Sequence, residues 1–253
     1  MNRENENKNK NSNFESFNLL KKEFKKLVEE NNLLNEPIEA HPVNVQLDTT
    51  RISDYPLLNG KEFLLRAFFK GAVGDAFTGD LKEFKGTIAE VLESDYNPLV
   101  IATLNAVMRY LGLTEKTEHC IKNEPEICAK KLSEYIVSEL GTNIKIGIIG
   151  YHPAIIKQMV DTFGKENVMA TDLDFNNIGR IKHGIVIYHA DMNEYLIKNS
   201  DIVLSTGSTA ANGTIFEILD MAKKYNKRII FYGTTVAGVS KILNLERFCE
   251  CGK

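Results

Sequence analysis

The sequence has no tryptophan, no excess of either charge and no apolar run approaching the roughly 18 to 20 residues that span a bilayer. Its opening, MNRENENKNKNSN, is polar where a signal peptide needs an apolar stretch, so the expectation is a cytoplasmic protein without a membrane partner. Lys and Arg number 31 against 34 Asp and Glu, a formal net charge of −3, which leaves no basic footprint for nucleic acid. Cysteine is sparse. Four residues in 253 do not make a disulfide framework, and in a reducing compartment they are expected as thiols, metal ligands or core. Also missing are a P-loop, G-x-G-x-x-G, G-x-S-x-G, H-E-x-x-H and C-x-x-C, which removes the commonest NTPase, dinucleotide, hydrolase, zincin and zinc-knuckle readings.

What is present is enough apolar sequence, 43%, for one large domain or two small ones. Residues 1–13 alternate Asn with charged side chains and are expected to form a disordered leader. From Phe14 the pattern changes: Phe17, Leu20, Phe24, Leu27 and Val28 recur at helical spacing up to about Asn31. Strands are expected over 41–50, where Val43, Val45 and Leu47 alternate with polar residues, and over 63–69, which runs into a glycine-rich turn at 70–79. Helices should follow over 87–93, 98–110 and 125–140, making residues 14–141 an α+β unit. After Gly141, short apolar or β-branched runs at 144–149, 167–171, 184–188, 202–206 and 229–232 are separated by crossover-length segments. Such strands argue for a parallel sheet covered on both faces, so 142–253 is expected to be a Rossmann-like domain.

In such a sheet, ligands bind beyond the carboxyl ends of the strands. Asp172 lies about twenty residues past the first strand, where an acid commonly binds a ribose, so a nucleoside ligand such as S-adenosylmethionine stays open beside the plain reading of a turn cap. The run 205–214 places Thr206, Gly207, Ser208, Asn212 and Thr214 before a helix, where hydroxyls and free N–H groups suit an anion. Gly233 and Thr234 end the next strand with similar chemistry, and Asp75 and Thr78 of the glycine-rich turn could face the same cleft. His152 is the best-placed histidine, at a strand end and a helix start. His119 with Cys120, then Cys128, Cys249 and Cys251, are candidate ligands for a soft or divalent metal ion, although their spacing is weak evidence and Cys128 reads equally well as a core residue.

The segments GAVGDAFTGDLKEFKGTIAEVL, IATLNAVMRYLGL, TEHCIKNEPEICA, GIIGYHP, TDLDFNNIG, STGSTAANGT and FYGTTVAGVSKILNLERFC together resemble the putative heavy-metal chelation family, once a domain family of unknown function. The likeness covers about residues 20–253. It implies an enolase N-terminal-like domain followed by a Rossmann-like doubly wound parallel sheet, with a ligand cleft between them. It also implies a role in chelating metal or handling a metallocofactor. Carried over by position, it marks Gly74, Thr78, Asn105, His119, Cys120, Asp172, Thr206, Gly207, Asn212, Thr214, Gly233 and Thr234. Where relatives would have Gly-Gln-Ala-Phe-Thr, this chain has Gly74-Asp75-Ala76-Phe77-Thr78. Two functions follow as expectations. The first is a protein that binds a small anionic or metal-chelating ligand, with cofactor contacts from Asp172, Thr206 to Ser208, Asn212, Thr214, Gly233, Thr234, Gly74 and Thr78 and metal contacts from His119, Cys120 and His152. The alternative is a transferase in small-molecule biosynthesis using S-adenosylmethionine or a nucleoside cofactor. Whether the cleft is catalytic, and whether the chain forms a homo-oligomer, stay open at this point.

Overall fold

The apolar stripe that begins at Phe14 lies on α1 (Arg3–Glu30), and its Phe17, Leu20, Phe24 and Val28 are all buried. The structure, a computed structural model, describes residues 3–50, 52, 54–58 and 63–253, with side chains described from residue 16 onward. The helix starts well before the stripe, so the segment expected to be a disordered leader is helical from Arg3. Once a packed portion has nucleated, adding polar residues to a helix costs little.

Four antiparallel strands form the first sheet: β1 (Pro37–Val43), β2 (Phe63–Phe69), β3 (Ala72–Thr78) and β4 (Phe84–Thr87), in the order β3-β2-β1-β4. β2 lies where the sequence places it, but β1 precedes the expected 41–50, because Ile38 and Ala40 are the buried alternates while Leu47 makes only an isolated bridge to Lys122. The expected turn at 70–79 is mostly strand: only Lys70-Gly71 turns the β2–β3 hairpin. Gly74 is needed there for closeness, since a Cβ would sit 2.3 Å from both the Ala102 carbonyl oxygen and the Ala106 nitrogen. Those two residues belong to α3 (Asn97–Tyr110), which follows α2 (Ile88–Glu93) and its Thr87–Glu90 capping box. Every residue from Leu99 to Met108 of α3 is buried, as fits a helix packed on more than one side.

α4 (Glu124–Leu140) leads to the second sheet, of β5 (Ile146–Ile149), β6 (Val168–Asp172), β7 (Ile181–Lys182), β8 (Ile185–His189), β9 (Ile202–Thr206), β10 (Arg228–Tyr232) and β11 (Arg247–Phe248). Their order is β11-β10-β9-β5-β6-β8-β7, parallel except for the β7–β8 edge pair. The chain winds outward from β5 through β6 and β8, then returns to β9 beside β5 and winds the other way. This is the doubly wound, Rossmann-like order, with its switch point between β5 and β9. Helices α5 (Pro153–Phe163), α6 (Asn193–Asn199), α7 (Ser208–Ala211), α8 (Ile215–Lys224) and α9 (Ala237–Ile242) complete the chain.

The two faces of this sheet belong to different cores. Val203, Ile229 and Phe231 join α1, α3 and the first sheet, whereas Ile148, Leu204 and Ile230 join Leu132 and Ile136 of α4 and the inner face of α5. The glycine stop at Gly141 therefore ends a helix that already packs on the parallel sheet. Helical periodicity gives the existence of α4 but not the surface it covers. Among the described residues no helix is long and apolar enough to cross a membrane.

Candidate functional site

The carboxyl ends of β5, β6, β8 and β9 open into one cavity of about 810 Å³, within the range of small-molecule sites. Its floor is made by the residues that follow these strands, including His152, Asp172, Asn193 and Thr206, and Phe77 of β3 faces them together with Tyr55 and His119. A second, small cavity of about 50 Å³ shares Phe77, His119 and His152 with the first and adds Gly207, Gly233 and Thr234.

His119 is held from the first sheet. Its backbone N–H donates to the Asp75 carboxylate at 2.7 Å, and Asp75, fully buried, takes two further bonds of 2.8 Å from the Arg66 guanidinium. Arg66 also donates to Glu118 at 2.7 Å. The departure at position 75 is thus a buried ion pair that fixes the backbone before Cys120. The His119 Nδ1 lies 2.6 Å from the Cys120 carbonyl oxygen, which can only accept, so the ring proton is on Nδ1 and Nε2 keeps its lone pair. Burial pushes the His119 imidazole below its usual range. His152 differs. As N-cap of α5, its Nδ1 accepts from the Ile155 N–H at 3.4 Å, so the proton sits on Nε2 and the ring presents a donor. Burial, reinforced by nearby His119, lowers its pKa to about 4. Edge-on contacts with Tyr55 and Tyr232 at 6.1 and 5.7 Å orient the ring.

Both histidines are therefore neutral, one an acceptor and one a donor. His119, Cys120 and His152 all line the small cavity, yet among the described residues no three Cys, His, Asp or Glu side chains are gathered so as to hold a metal ion. The expected three-ligand set is brought to one place but not into a cage. His152 has its proton where a ligand needs a lone pair.

Asp172 is fully engaged. Its carboxylate accepts from the backbone N–H groups of Tyr151, Leu173 and Asp174 at 2.9, 2.5 and 2.9 Å and from the Asn177 amide at 3.1 Å. A carboxylate has about four acceptor sites, so none remains for a ribose, and the turn-cap reading prevails. The run before α8 likewise bonds to itself: Thr206 to Ser208 at 2.9 Å, Thr209 to the Thr206 carbonyl at 2.7 Å, and Asn212 to the Thr214 hydroxyl and N–H at 2.7 and 3.0 Å. Thr206, Ser208, Asn212 and Thr214 still line the large cavity. Gly207 donates to the Tyr232 carbonyl at 2.8 Å, which holds the β9 and β10 loops together. Thr234 is 2% exposed, and its hydroxyl has no hydrogen-bond partner.

Two expected contacts are structural. Gly74 is packed under α3, as described. The Thr78 hydroxyl bonds Tyr96 at 2.5 Å and the Asp80 N–H at 3.0 Å, and neither cavity includes it. Asn105, fully buried, joins the two sheets instead of facing a ligand. Its amide donates to the carbonyls of Asp75, Thr235 and Thr234 at 2.9, 3.0 and 3.3 Å, and its oxygen accepts from Gly238 at 2.7 Å.

The polarity of the large cavity is the main departure from expectation. Asp172, Asp174, Asp191, Glu194 and Glu217 line it, with no Lys or Arg among the described lining residues. Glu194 is paired with Lys224 at 2.5 Å and Asp172 is consumed by its turn, so the wall keeps an acidic bias that is partly neutralised. Phe77, Tyr55, Asn193 and Glu217 were not singled out from the sequence. They come from a strand, a loop and the first turns of α6 and α8, where nothing in the local pattern sets them apart.

Residues 135–245 match the family described as "Putative heavy-metal chelation", DUF364. An uncharacterized protein of Methanocaldococcus jannaschii, MJ1125, is 50% identical over 42 residues, which are 17% of this chain and 70% of that protein. A DUF364-family protein of unknown function from Pyrococcus horikoshii aligns in structure with a TM-score of 0.48 at 19% identity, over 80% of this chain and 75% of its own. Another from Desulfitobacterium hafniense gives 0.46 at 14% identity, over 74% of each chain. With the sequence match covering β5 to β10 and a half-identical relative sharing most of its own length, the chain belongs to the DUF364 family.

Proposed function

We propose that this chain binds a metal ion carried by a small, cationic chelating molecule in the large cavity, with His119 completing the coordination of the metal. The observation that supports it is the composition of the cavity wall: a neutral imidazole whose Nε2 carries the lone pair, with carboxylates such as Asp174 and Asp191 beside it and no Lys or Arg among the described lining residues, Lys224 pairing Glu194 from outside the lining. Neutral imidazole suits zinc, nickel and copper. Since no three protein side chains are gathered around an ion, the remaining donors have to come with the ligand, which agrees with a volume far larger than a bare ion needs. His152 and the hydroxyls of Thr206 and Ser208 would orient the organic part. The family description points in the same direction. A nucleoside cofactor has lost its residue-level support, because Asp172 is consumed by the turn.

The test is calorimetry with two nickel chelates that have open coordination positions, the cationic terpyridine complex and the anionic nitrilotriacetate complex, and with nickel alone. The cationic chelate should bind at least tenfold more tightly than the anionic one, and His119→Ala should remove that binding. No binding of either chelate, equal binding of both, or an unchanged His119→Ala affinity would refute the proposal.

A further inference from the structure

The small cavity is walled without formal charge. Phe77, Pro125, Ile155 and three cysteines, Cys120, Cys128 and Cys249, line it, and among its described lining residues there is no Lys, Arg, Asp or Glu. Its volume of about 50 Å³ is several times the roughly 10–15 Å³ that one water needs, so it has room for a group of a few heavy atoms. Phe77, His119, Pro125, His152, Thr206 and Ser208 line the large cavity too, so the two spaces adjoin.

Two hydrogen-bond donors belong to this wall. The first is His152. Its cap on α5 uses the Nδ1 lone pair, so Nε2 bears the proton and can only donate. The second is Thr234. Among the described residues, the buried polar side-chain atoms without a hydrogen-bond partner belong to Thr103, Thr114, His183 and Thr234, and of these only Thr234 lines either cavity. A threonine between a strand and a helix ordinarily caps the helix, yet the N-cap of α9 is Val236 and the Thr234 hydroxyl takes no N–H. Neighbouring hydroxyls are satisfied: Thr235 accepts from the Phe77 N–H at 3.2 Å, and Thr206 bonds Ser208 at 2.9 Å. An unpaired hydroxyl on a residue 2% exposed destabilises the fold unless a ligand group meets it.

We infer that the small cavity is a subsite for a neutral carbonyl group, an amide or an ester, whose oxygen accepts from His152 Nε2 and from the Thr234 hydroxyl. A carbonyl oxygen has two lone pairs and so matches two donors. A carboxylate would bring a charge to a wall that holds no cation, and two neutral donors do not offset that desolvation. An apolar group would leave the Thr234 hydroxyl unpaired. The subsite needs no metal, so the inference is independent of what the large cavity binds.

The experiment is a titration of the full chain, isotope-labelled at its histidines, with acetamide and with acetate, which are alike in size and differ in charge. Nuclear magnetic resonance follows the His152 Nε2–H, identified by its loss in His152→Gln. Acetamide should shift that signal saturably and bind at least about tenfold more tightly than acetate. Thr234→Val keeps the shape and removes the hydroxyl, so it should weaken acetamide at least about fivefold while the melting temperature holds or rises by about one to three degrees. Thr234→Ser, which keeps the hydroxyl, should bind within about twofold of the wild type. The inference is overturned by no saturable shift with acetamide, by acetate binding as tightly, by unchanged affinity in Thr234→Val, or by an equal loss in Thr234→Ser. A lower melting temperature for Thr234→Val would overturn it too, because the hydroxyl would then already have a partner such as an ordered water. No metal chelate is present in these samples, so the result is read separately from metal binding.

Discussion

Asn105→Ala is the most informative single perturbation of the joint between the two sheets. The side chain is fully buried and makes four bonds, three donated to the carbonyls of Asp75, Thr234 and Thr235 and one accepted from Gly238. The dominant loss is the partner of the buried Gly238 N–H. An orphaned buried donor costs about 1–3 kcal/mol, and each carbonyl that loses one partner adds a few tenths to about 1 kcal/mol. The void left by the amide adds about 1 kcal/mol, for a total of about 3–7 kcal/mol. For a chain of this length that corresponds to a fall of roughly 10 °C in the melting temperature. Urea denaturation followed by dichroism measures it directly. Asn105→Asp separates the parts: it keeps the acceptor for Gly238 but turns an oxygen towards three carbonyls, so it should be as damaging at neutral pH and partly relieved in acid. A loss below about 1 kcal/mol for Asn105→Ala would refute the accounting.

Stability should fall in acid between about pH 6.5 and 4. His152 has its pKa lowered to about 4 by burial, so the unfolded chain binds the proton first, and over that interval His152 contributes a loss of order 3 kcal/mol; a denaturation midpoint flat from pH 7 to 4.5 would contradict this. Gly74→Ala should cost several kcal/mol, because a Cβ would meet the α3 backbone at 2.3 Å, whereas Gly79→Ala, with nothing within 4 Å, should stay within about 0.5 kcal/mol; equal melting temperatures would sink the packing argument. Asp172→Ala should lower stability by about 2–4 kcal/mol through its turn without creating or removing any S-adenosylmethionine affinity, as read by differential scanning fluorimetry with and without that compound.

The parallel sheet was legible because its strands announce themselves: Ile202–Thr206 and the runs near 146, 168 and 229 are apolar on both faces, and turn glycines or helix-opening residues such as Pro153 bound them. β3 was not legible. Gly74 and Lys70-Gly71 look like turn residues, yet only the second pair turns, while the first makes room for a helix thirty residues away in sequence. A long-range close approach leaves no local signature. The same applies to the site. Asp172 and the run 205–214 sit at strand ends as expected, but whether a side chain faces a ligand or its own turn depends on hydrogen bonds that spacing does not encode. The tail is the extreme case, because its packing beside Glu118 rests on a long-range backbone pair with Lys253 that no local pattern marks.

Position 75 connects the sequence departure to the chemistry of the cavity. The resemblance leads one to expect a neutral Gln there, and this chain has an Asp paired to Arg66, whose other nitrogen bonds Glu118. Asp75→Gln would leave the guanidinium, 19% exposed, with one carboxylate instead of two and would weaken the acceptor for the His119 N–H. Breaking a buried pair from one side costs about 3–5 kcal/mol, mostly the uncompensated charge left behind. Arg66→Leu removes that charge, so Asp75→Gln combined with Arg66→Leu should recover at least about 1.5 kcal/mol relative to the sum of the single losses. The cycle also distinguishes stability from placement. His119 is held by the Asp75 oxygen, so nickel terpyridine binding should remain weakened in the double variant even where its stability has returned. Additive losses in urea would show that the pair does not act as a unit, and wild-type chelate affinity in the stable double variant would show that His119 needs no such anchor.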